Sequence, residues 1–180
     1  MSPELQKIYN DGEFDERGFS KVQFLKLFNN GRRMVFSTNE IICREGKEMN
    51  KLYYILDGTV TVKSKTDGRK LATISQHHFI GELSFLMYVR DRRKDEQKTE
   101  PSNKASANVF ADDTVHVLEW DFIELSKIMV RDRELANAFA VYSSHDLRNK
   151  LLSANAKGDK PMILPGGTPM ILPVETPVIP

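Results

Sequence analysis

The chain has 180 residues, of which 40% are hydrophobic and 28% are charged, and its formal net charge is +1. This composition is ordinary for one globular domain, and the near-neutral charge excludes a general electrostatic attraction to nucleic acid or to an acidic membrane. The single Cys43 cannot form an internal disulfide and favours a reducing compartment, and no stretch is long and apolar enough to span a bilayer. These features predict a cytoplasmic protein, or the cytosolic portion of a larger membrane-associated protein, without direct membrane insertion by this chain.

Residues 1–32 are predicted to form an N-terminal helical segment. Ser2, which is followed by a proline, is a suitable cap for a first helix, and that helix would end near Gly12. Ser20 and Gln23 have the spacing of a capping box, which indicates the start of a second helix.

Residues 33–120 consist of short β-like runs separated by turns. Residues 53–56 and 59–62 are rich in aromatic and β-branched side chains, and Asp57 and Gly58 lie between them. This pattern predicts a β-hairpin with a type I′ turn, in which both turn residues have positive φ. Several short strands at regular spacing favour a roll or a barrel over an alternating βαβ fold.

Residues 121–156 are predicted to form C-terminal helices. Asp121 and Glu124 have the spacing of a capping box for the first of them, and a longer helix is predicted over residues 132–152. The run of mixed charge at 89–104 is predicted to be a solvent-exposed loop. The fold class predicted from the whole pattern is α+β, mainly β: an antiparallel β-roll or jelly roll with N-terminal helices and C-terminal helices.

Residues 157–180 form a proline-rich tail in which Pro-Met-Ile-Leu-Pro occurs twice, beginning at Pro161 and at Pro169. Proline at this density excludes a helix and a central strand, so an extended or disordered segment is predicted. Two interpretations stay open, because the apolar residues of the tail can dock on the domain or a partner, or the tail can be without a structural role.

The residue patterns of common enzymes and metal sites are missing from the sequence. It contains no metal-spaced cysteine and histidine set, no Gly-x-Ser-x-Gly motif, no Walker loop and no His-Glu-x-x-His motif. His77 and His78 are adjacent and are predicted to lie in a turn. We therefore predict neither an enzyme activity nor a bound metal.

The segment at 79–86 reads Phe-Ile-Gly-Glu-Leu-Ser-Phe-Leu and joins a strand-like run to a helix-prone run. Gly81 lets the backbone approach a ligand closely, and free N–H groups at a helix N-terminus attract an anion. Glu82 can accept a hydrogen bond from a ligand hydroxyl. A sugar phosphate offers both the anion and the hydroxyl, so this segment predicts a sugar-phosphate site.

Residues 79–84 resemble the phosphate-binding cassette of cyclic nucleotide-binding domains, the family of catabolite activator protein and of protein kinase A regulatory subunits. The predicted hairpin at 52–62 and the turn glycines Gly46 and Gly68 also resemble that family. The resemblance implies a ligand, cAMP or cGMP, whose ribose 2′-hydroxyl binds Glu82, and a last helix that closes over the base and can form a homodimer. The ligand-binding residues that it implies are Ile80, Gly81, Glu82, Leu83, Ser84, Lys104, Ala105, Ser106 and Tyr142.

The chain departs from the family at the cationic residue that binds the cyclic phosphate. The family holds the cyclic phosphate with an arginine, and this chain has the sequence Lys-Ala-Ser beginning at Lys104 in its place. Lysine lacks the planar fork of arginine, so phosphate binding would be weaker unless Arg90, Arg92 or Arg93 in the charged run acts as a substitute. A buried Glu82 without a ligand would be costly, and this favours a site that still binds.

A narrower resemblance links the segments that begin at Phe19 and at His145 to the Popeye-domain subgroup, whose animal members bind cAMP on the cytoplasmic side of three transmembrane helices. Animal Popeye domains have Asp-Ser-Pro-Glu and Phe-Gln-Val-Thr where this chain has Gly-Glu-Leu-Ser at 81–84 and Ala-Ser-Ala-Asn at 105–108. Membrane anchoring and the Popeye-specific site therefore do not carry over.

Two functions follow as hypotheses. The first is a regulatory sensor domain that binds cAMP or cGMP at 81–84, with the C-terminal helix as a lid. The alternative is a ligand-free, degenerate β-roll that serves as a dimerisation or protein-interaction scaffold. A nucleic-acid partner is disfavoured, because no helix-turn-helix pattern follows the roll.

Overall fold

The computed structural model describes residues 1–92 and 103–155, which form eight strands and five helices. The strands are β1 (Arg32–Phe36), β2 (Ile41–Cys43), β3 (Lys51–Asp57), β4 (Val60–Lys63), β5 (Lys70–Ile74), β6 (Phe79–Ile80), β7 (Asn108–Ala111) and β8 (Val115–Asp121). The helices are α1 (Pro3–Asp11), α2 (Lys21–Phe28), α3 (Glu82–Arg92), α4 (Phe122–Arg131) and α5 (Arg133–Asn155). No helix within the described residues has the length and apolar content needed to cross a bilayer.

The strands form two four-stranded antiparallel sheets. The first has the order β1-β8-β3-β6 and the second has the order β2-β7-β4-β5. Helices precede the sheets, follow them, and interrupt them once at α3. The predicted fold class, an antiparallel β-roll flanked by helices, is confirmed.

The two N-terminal helices begin where their capping residues predict. The Ser2 hydroxyl accepts a hydrogen bond from the backbone N–H of Leu5 at 3.3 Å. Both bonds of the predicted capping box are present, because the Ser20 hydroxyl accepts from the backbone of Gln23 and the Gln23 side chain accepts from the Ser20 backbone N–H. Each cap satisfies a donor that the first helical turn would otherwise leave without a partner.

The predicted hairpin at 52–62 is wrong, because its two arms lie in different sheets. β3 pairs with β8 and β6, whereas β4 pairs with β7 and β5. Gly58 has φ +96°, but Asp57 does not have the positive φ that a type I′ turn requires. The two residues form a corner instead, and a Cβ on Gly58 would lie 2.8 Å from the carbonyl oxygen of Thr114. A strand that turns from one sheet into the other buries apolar residues between two layers, which an isolated two-stranded hairpin cannot do.

The C-terminal helices agree with the predicted positions and differ in one cap. The Asp121 carboxylate accepts from the backbone N–H of Ile123 at 2.9 Å and caps α4. The predicted capping box is wrong at its second member, because Glu124 pairs with Lys127 at 2.7 Å on the exposed side of the helix. The loop predicted at 89–104 is helical over 89–92, where α3 continues.

Two predicted segments fall wholly or partly outside the described residues. They are residues 93–102 of the charged run and the proline-rich tail at 157–180.

An aromatic cluster joins α1, α2, β3 and α5. Its centre is Phe14, in the turn between α1 and α2, which is fully buried. Phe14 has ring contacts with six other members, and the Tyr142 ring of α5 stacks on it with the ring centroids 4.5 Å apart. Edge-to-face and offset stacking of this kind adds to the stabilisation that burial provides. The aromatic cluster consists of Tyr9, Phe14, Phe19, Phe24, Phe28, Tyr54 and Tyr142.

Candidate functional site

The segment at 79–84 is a strand, a tight turn and a helix start. β6 pairs with β3, with Ile80 opposite Tyr53, and α3 begins at Glu82. Between them Gly81 has φ +91°, and a Cβ on this residue would lie 3.0 Å from the backbone oxygen of Lys51 and 3.0 Å from the Met49 sulfur. Only glycine combines this backbone conformation with this close approach.

The first turn of α3 provides the anion-attracting end of a helix. The backbone N–H of Phe85 donates to the carbonyl of Gly81 at 2.9 Å, which closes that first turn. The N–H groups of residues 82–84 precede this bond, so they belong to the turn in which a helix has no intrahelical acceptors. Partial positive charge at this end favours a phosphate. Of the predicted site residues around it, Ile80 is buried and Leu83 is half-buried.

Glu82 is 5% exposed and its carboxylate already has a partner within the chain. The Lys150 ammonium of α5 donates to Glu82 Oε1 at 2.6 Å, and it also donates to the carbonyl oxygen of Phe79. The expectation that a buried Glu82 needs a ligand to avoid an energetic cost is therefore wrong, because Lys150 supplies the compensating charge.

Lys150 and Glu82 are part of a larger ionic cluster, defined here as Glu82, Lys150, Asp146 and His78. Asp146 Oδ2 lies 2.9 Å from Lys150 Nζ and accepts from the backbone N–H of Phe79 at 3.1 Å, and Asp146 Oδ1 bonds to His78 Nδ1. Burial alone would raise the pKa of Asp146, but the Lys150 charge and the His78 ring lower it below its ordinary value. Burial alone would lower the pKa of Lys150, but the charges of Glu82 and Asp146 raise it. The cluster therefore joins two carboxylates, one ammonium and one imidazole through direct contacts.

Lys104 lies beside the cassette through its backbone. The Ser84 hydroxyl, which is buried, donates to the Lys104 carbonyl at 3.2 Å. Ala105 is buried and pairs with the 46–49 segment, since its N–H donates to Lys47 O at 2.9 Å and its carbonyl accepts from Gly46 N at 2.8 Å. The Lys104 side chain and Ser106 are exposed. The structure thus brings the Lys-Ala-Ser segment to Ser84 while leaving the lysine at the surface.

Tyr142, a predicted ligand-binding residue, lies in the aromatic cluster. Its side chain is fully buried, and its hydroxyl donates to the Gly12 carbonyl at 3.1 Å and lies 3.4 Å from the His77 carbonyl oxygen. Burial raises the pKa of the Tyr142 hydroxyl, so it stays protonated and able to donate at any physiological pH. The Tyr142 ring meets the 79–84 segment at its first residue, because it packs edge-to-face on the Phe79 ring with the ring centroids 5.5 Å apart.

Arg90 is one of the suggested substitutes for the family's arginine, and it lines a cavity that residues 80–84 do not line. It is exposed and lines an apolar cavity of about 300 Å³ between α3 and the two C-terminal helices, with Phe85, Met129 and Phe139. None of residues 80–84 lines this cavity. Nothing is described of the side chain of Arg92, and Arg93 lies outside the described residues.

Two observations concern the cysteine and the metal-ligating side chains of the described residues. Burial raises the pKa of the Cys43 thiol to about 12, and the Glu82 charge adds to the rise, so the nucleophilic thiolate is not formed near neutral pH. Within residues 1–92 and 103–155 no group of three histidine, cysteine, aspartate or glutamate side chains could hold a metal ion.

The ionic cluster was missed by sequence reasoning. Asp146 and Lys150 are four residues apart on α5, a spacing that places opposite charges on one helix face. That spacing was the available signal, but it does not reveal that Glu82, 68 residues earlier, is the third member. His78 was predicted in a turn, and the structure agrees, since the neighbouring His77 has φ +69°.

A family model described as the cyclic nucleotide-binding domain matches residues 33–132, more than half of the chain. No curated protein sequence matches the chain.

Among solved structures, this fold is similar to a cyclic nucleotide-binding domain from Methylobacillus flagellatus KT, with a TM-score of 0.64 and 16% identity, covering 83% of this chain and 82% of that one. It is similar to PKAR CBD2 bound to Sp-2Cl-cAMPS, with a TM-score of 0.59 and 17% identity over 87% and 95% of the two chains. It is also similar to the catabolite activator protein of Thermus thermophilus, with a TM-score of 0.57 and 19% identity over 78% and 61%. At these identities the structural likeness concerns the fold.

Proposed function

Because the chain belongs to the cyclic nucleotide-binding domain family, a family of regulatory rather than catalytic domains, we propose that it is a sensor domain that binds cAMP or cGMP at the cassette, residues 81–84. The observation that carries this proposal is the geometry of that segment. A glycine with φ +91° leads directly into the N-terminus of an eleven-residue helix, and a buried carboxylate, Glu82, stands at its first position.

The cyclic phosphate and the ribose of a cyclic nucleotide each have a chemical counterpart in this arrangement. The N–H groups of residues 82–84 attract the cyclic phosphate, and the Glu82 carboxylate accepts from the ribose 2′-hydroxyl. Lys104, whose backbone is bonded to Ser84, is the cation that we assign to the phosphate. Adenine and guanine are not distinguished by these contacts, so both nucleotides belong in the test.

The proposal is tested by calorimetric titration of the full chain with cAMP and with cGMP. We expect binding by the wild type and an affinity at least tenfold lower for Glu82→Gln, because a hydrogen bond to a charged acceptor contributes about 1.5–3 kcal/mol. Glu119→Gln is the matched control, since Glu119 is the other buried glutamate among the described residues and pairs with Lys51 at 3.7 Å and with Arg32 in the β1-β8-β3-β6 sheet. No heat at millimolar nucleotide with the wild type would contradict the proposal.

The role of Lys104 has a test of its own. Lys104→Arg introduces the planar fork that matches a phosphate, so we expect it to bind nucleotide several-fold more tightly than the wild type, and Lys104→Ala to bind more weakly. Calorimetry at two salt concentrations separates this charge effect from a change in folding. Equal affinity in the wild type and in Lys104→Ala would remove Lys104 from the site.

A lid role for α5 is part of the same proposal. It is supported by Asp146 and Lys150, through which α5 binds the backbone of β6 and the Glu82 side chain. Stacking of Tyr142 on the base remains a prediction, and it requires the ring to leave the aromatic cluster. Hydrogen exchange of the α5 amides with and without nucleotide tests the lid, and exchange that the ligand leaves unchanged would argue against it.

One observation favours the alternative, a ligand-free interaction scaffold. Lys150 already neutralises Glu82, so the cassette has no need of a ligand for stability. Sedimentation velocity of the full chain, with and without nucleotide, tests whether it forms the proposed homodimer. A monomer under both conditions would count against self-association.

The subgroup and the location remain predictions. The segments that resemble Popeye domains lie in α2 and in α5, and membership of that subgroup is proposed only on those residues. A cytoplasmic location is proposed from the single cysteine and from the proposed ligands.

A further inference from the structure

Lys150 is one of the most constrained polar side chains in the described part of the chain. It is 10% exposed, and its ammonium has three oxygen neighbours: Glu82 Oε1 at 2.6 Å, Asp146 Oδ2 at 2.9 Å and the carbonyl of Phe79. An ammonium has three protons, so these contacts use its full donor capacity. The side chain is therefore fixed in place, and it fixes the groups around it.

Two of these contacts tie Lys150 to the backbone on which the cassette begins. Phe79 of β6 donates its N–H to Asp146 and accepts from Lys150 with its carbonyl oxygen. Both polar groups of Phe79 are thus held by side chains that lie four residues apart on α5. The strand that leads into Gly81 is consequently set at a defined position relative to α5.

The third contact orients the Glu82 carboxylate. Lys150 binds Oε1, so the second oxygen, Oε2, is the one to which an incoming hydroxyl would bond. A carboxylate as buried as Glu82 is costly unless a cation lies beside it, and the Lys150 ammonium lies 2.6 Å from its Oε1. Arg32 and Lys51 pair with the buried Glu119, but unlike Lys150 they are not buried themselves.

We infer that Lys150 is a positioning residue for the nucleotide site: it orients the Glu82 carboxylate so that the carboxylate can accept from the ribose 2′-hydroxyl. This inference rests on the proposed function. It adds a residue of the last helix to the site, and it links that helix to the ligand through one carboxylate.

The test compares cAMP with 2′-deoxy-cAMP, which lacks only the hydroxyl that Glu82 would bind. The wild type is expected to prefer cAMP by about tenfold or more. Lys150→Met, which keeps the length of the side chain without its charge, is expected to reduce this preference to nearly one, and Lys150→Arg to restore part of it. Arg32→Met is the matched control, because it removes a cation from the other buried glutamate, and it should keep the wild-type preference.

A second measurement needs no variant. In the wild type labelled with ¹⁵N-lysine, the Lys150 ammonium signal is expected to shift on addition of cAMP and to shift far less with 2′-deoxy-cAMP. This result supports the inference even if Lys150→Met does not fold.

Three outcomes would overturn the inference while leaving the proposed function intact. One is that Lys150→Met weakens both nucleotides equally and keeps the preference, which indicates a structural role only. Another is that it binds cAMP more tightly, which indicates that Lys150 competes with the ligand. The third is an equal response of the Lys150 signal to both nucleotides. Absence of wild-type binding to both cAMP and cGMP would instead overturn the proposed function, and the inference with it.

Discussion

Two of the regions that hold α5 against the rest of the molecule use different physical forces. In the aromatic cluster, Tyr142 packs on Phe14 and is fully buried. One and two turns later, Asp146 and Lys150 enter the ionic cluster and bind Phe79 and Glu82. Apolar packing depends on area and volume, whereas a buried ion pair depends on distance and on charge state. The contribution of the aromatic cluster therefore does not depend on the charge of Glu82, while the ionic cluster responds to anything that changes the charge or position of Glu82.

The largest effect on stability is expected from a substitution at the centre of the aromatic cluster. Phe14→Ala is expected to lower the free energy of unfolding by about 4 kcal/mol, because it leaves a cavity among six rings and removes a fully buried side chain. Urea denaturation followed by circular dichroism measures the change. Val130→Ala, at a side chain that is 70% exposed on α4, is the control and should change stability by less than about 0.5 kcal/mol.

The second-largest effect on stability is expected from a substitution that breaks the ionic cluster alone. Asp146→Ala is expected to cost about 3 kcal/mol, since it removes one of the three buried acceptors of the Lys150 ammonium and leaves the Phe79 N–H without its acceptor. The same denaturation experiment applies, with Glu124→Ala as a control that removes an exposed carboxylate paired with Lys127. A loss as small as that of the control would mean that the aromatic cluster alone holds α5.

Acid distinguishes the ionic cluster from the aromatic cluster, because only the ionic cluster contains carboxylates. The pKa of Asp146 is lowered from 3.8 to about 2 in the folded chain, so its contribution is complete above about pH 4 and is lost as the pH falls through about 2. This contribution to the free energy of unfolding is about 2 kcal/mol, because a shift of one pKa unit corresponds to about 1.4 kcal/mol. Other carboxylates also titrate in this range, so the measurement is the difference between the unfolding free energies of the wild type and Asp146→Asn at pH 5 and pH 2. A difference that stays constant with pH would contradict the assignment.

The smallest effect is expected from removal of the Tyr142 hydroxyl, which gives the α5 member of the aromatic cluster its polar contacts. Tyr142→Phe keeps the ring and removes the hydroxyl that donates to the Gly12 carbonyl, so a cost of about 1 kcal/mol is expected. Thermal unfolding measures it. A cost as large as that of Phe14→Ala would show that the hydroxyl, rather than ring packing, holds α5 at this point.

Much of the local structure could be predicted from the sequence, because the residues that determine it are neighbours along the chain. The Ser20 capping box needs only a partner three residues away, and Asp121 caps α4 through a residue two positions later. Gly81 could be singled out for the same reason, since its positive φ follows from the change of strand into helix at that residue. The family resemblance then depended on these short segments and not on distant pairing.

The tertiary structure decided which distant segments meet. The strands on either side of Gly58 have the residues of a hairpin, yet each pairs more favourably with β7 or β8 and joins a different sheet. In the same way, the sequence by itself determined that Glu82 would stand at a helix start, but only packing of α5 decided that Lys150, 68 residues later, lies against it. The physical reason is that periodicity and capping specify the face and the ends of an element, whereas the choice of its partner depends on how all the apolar faces are buried together.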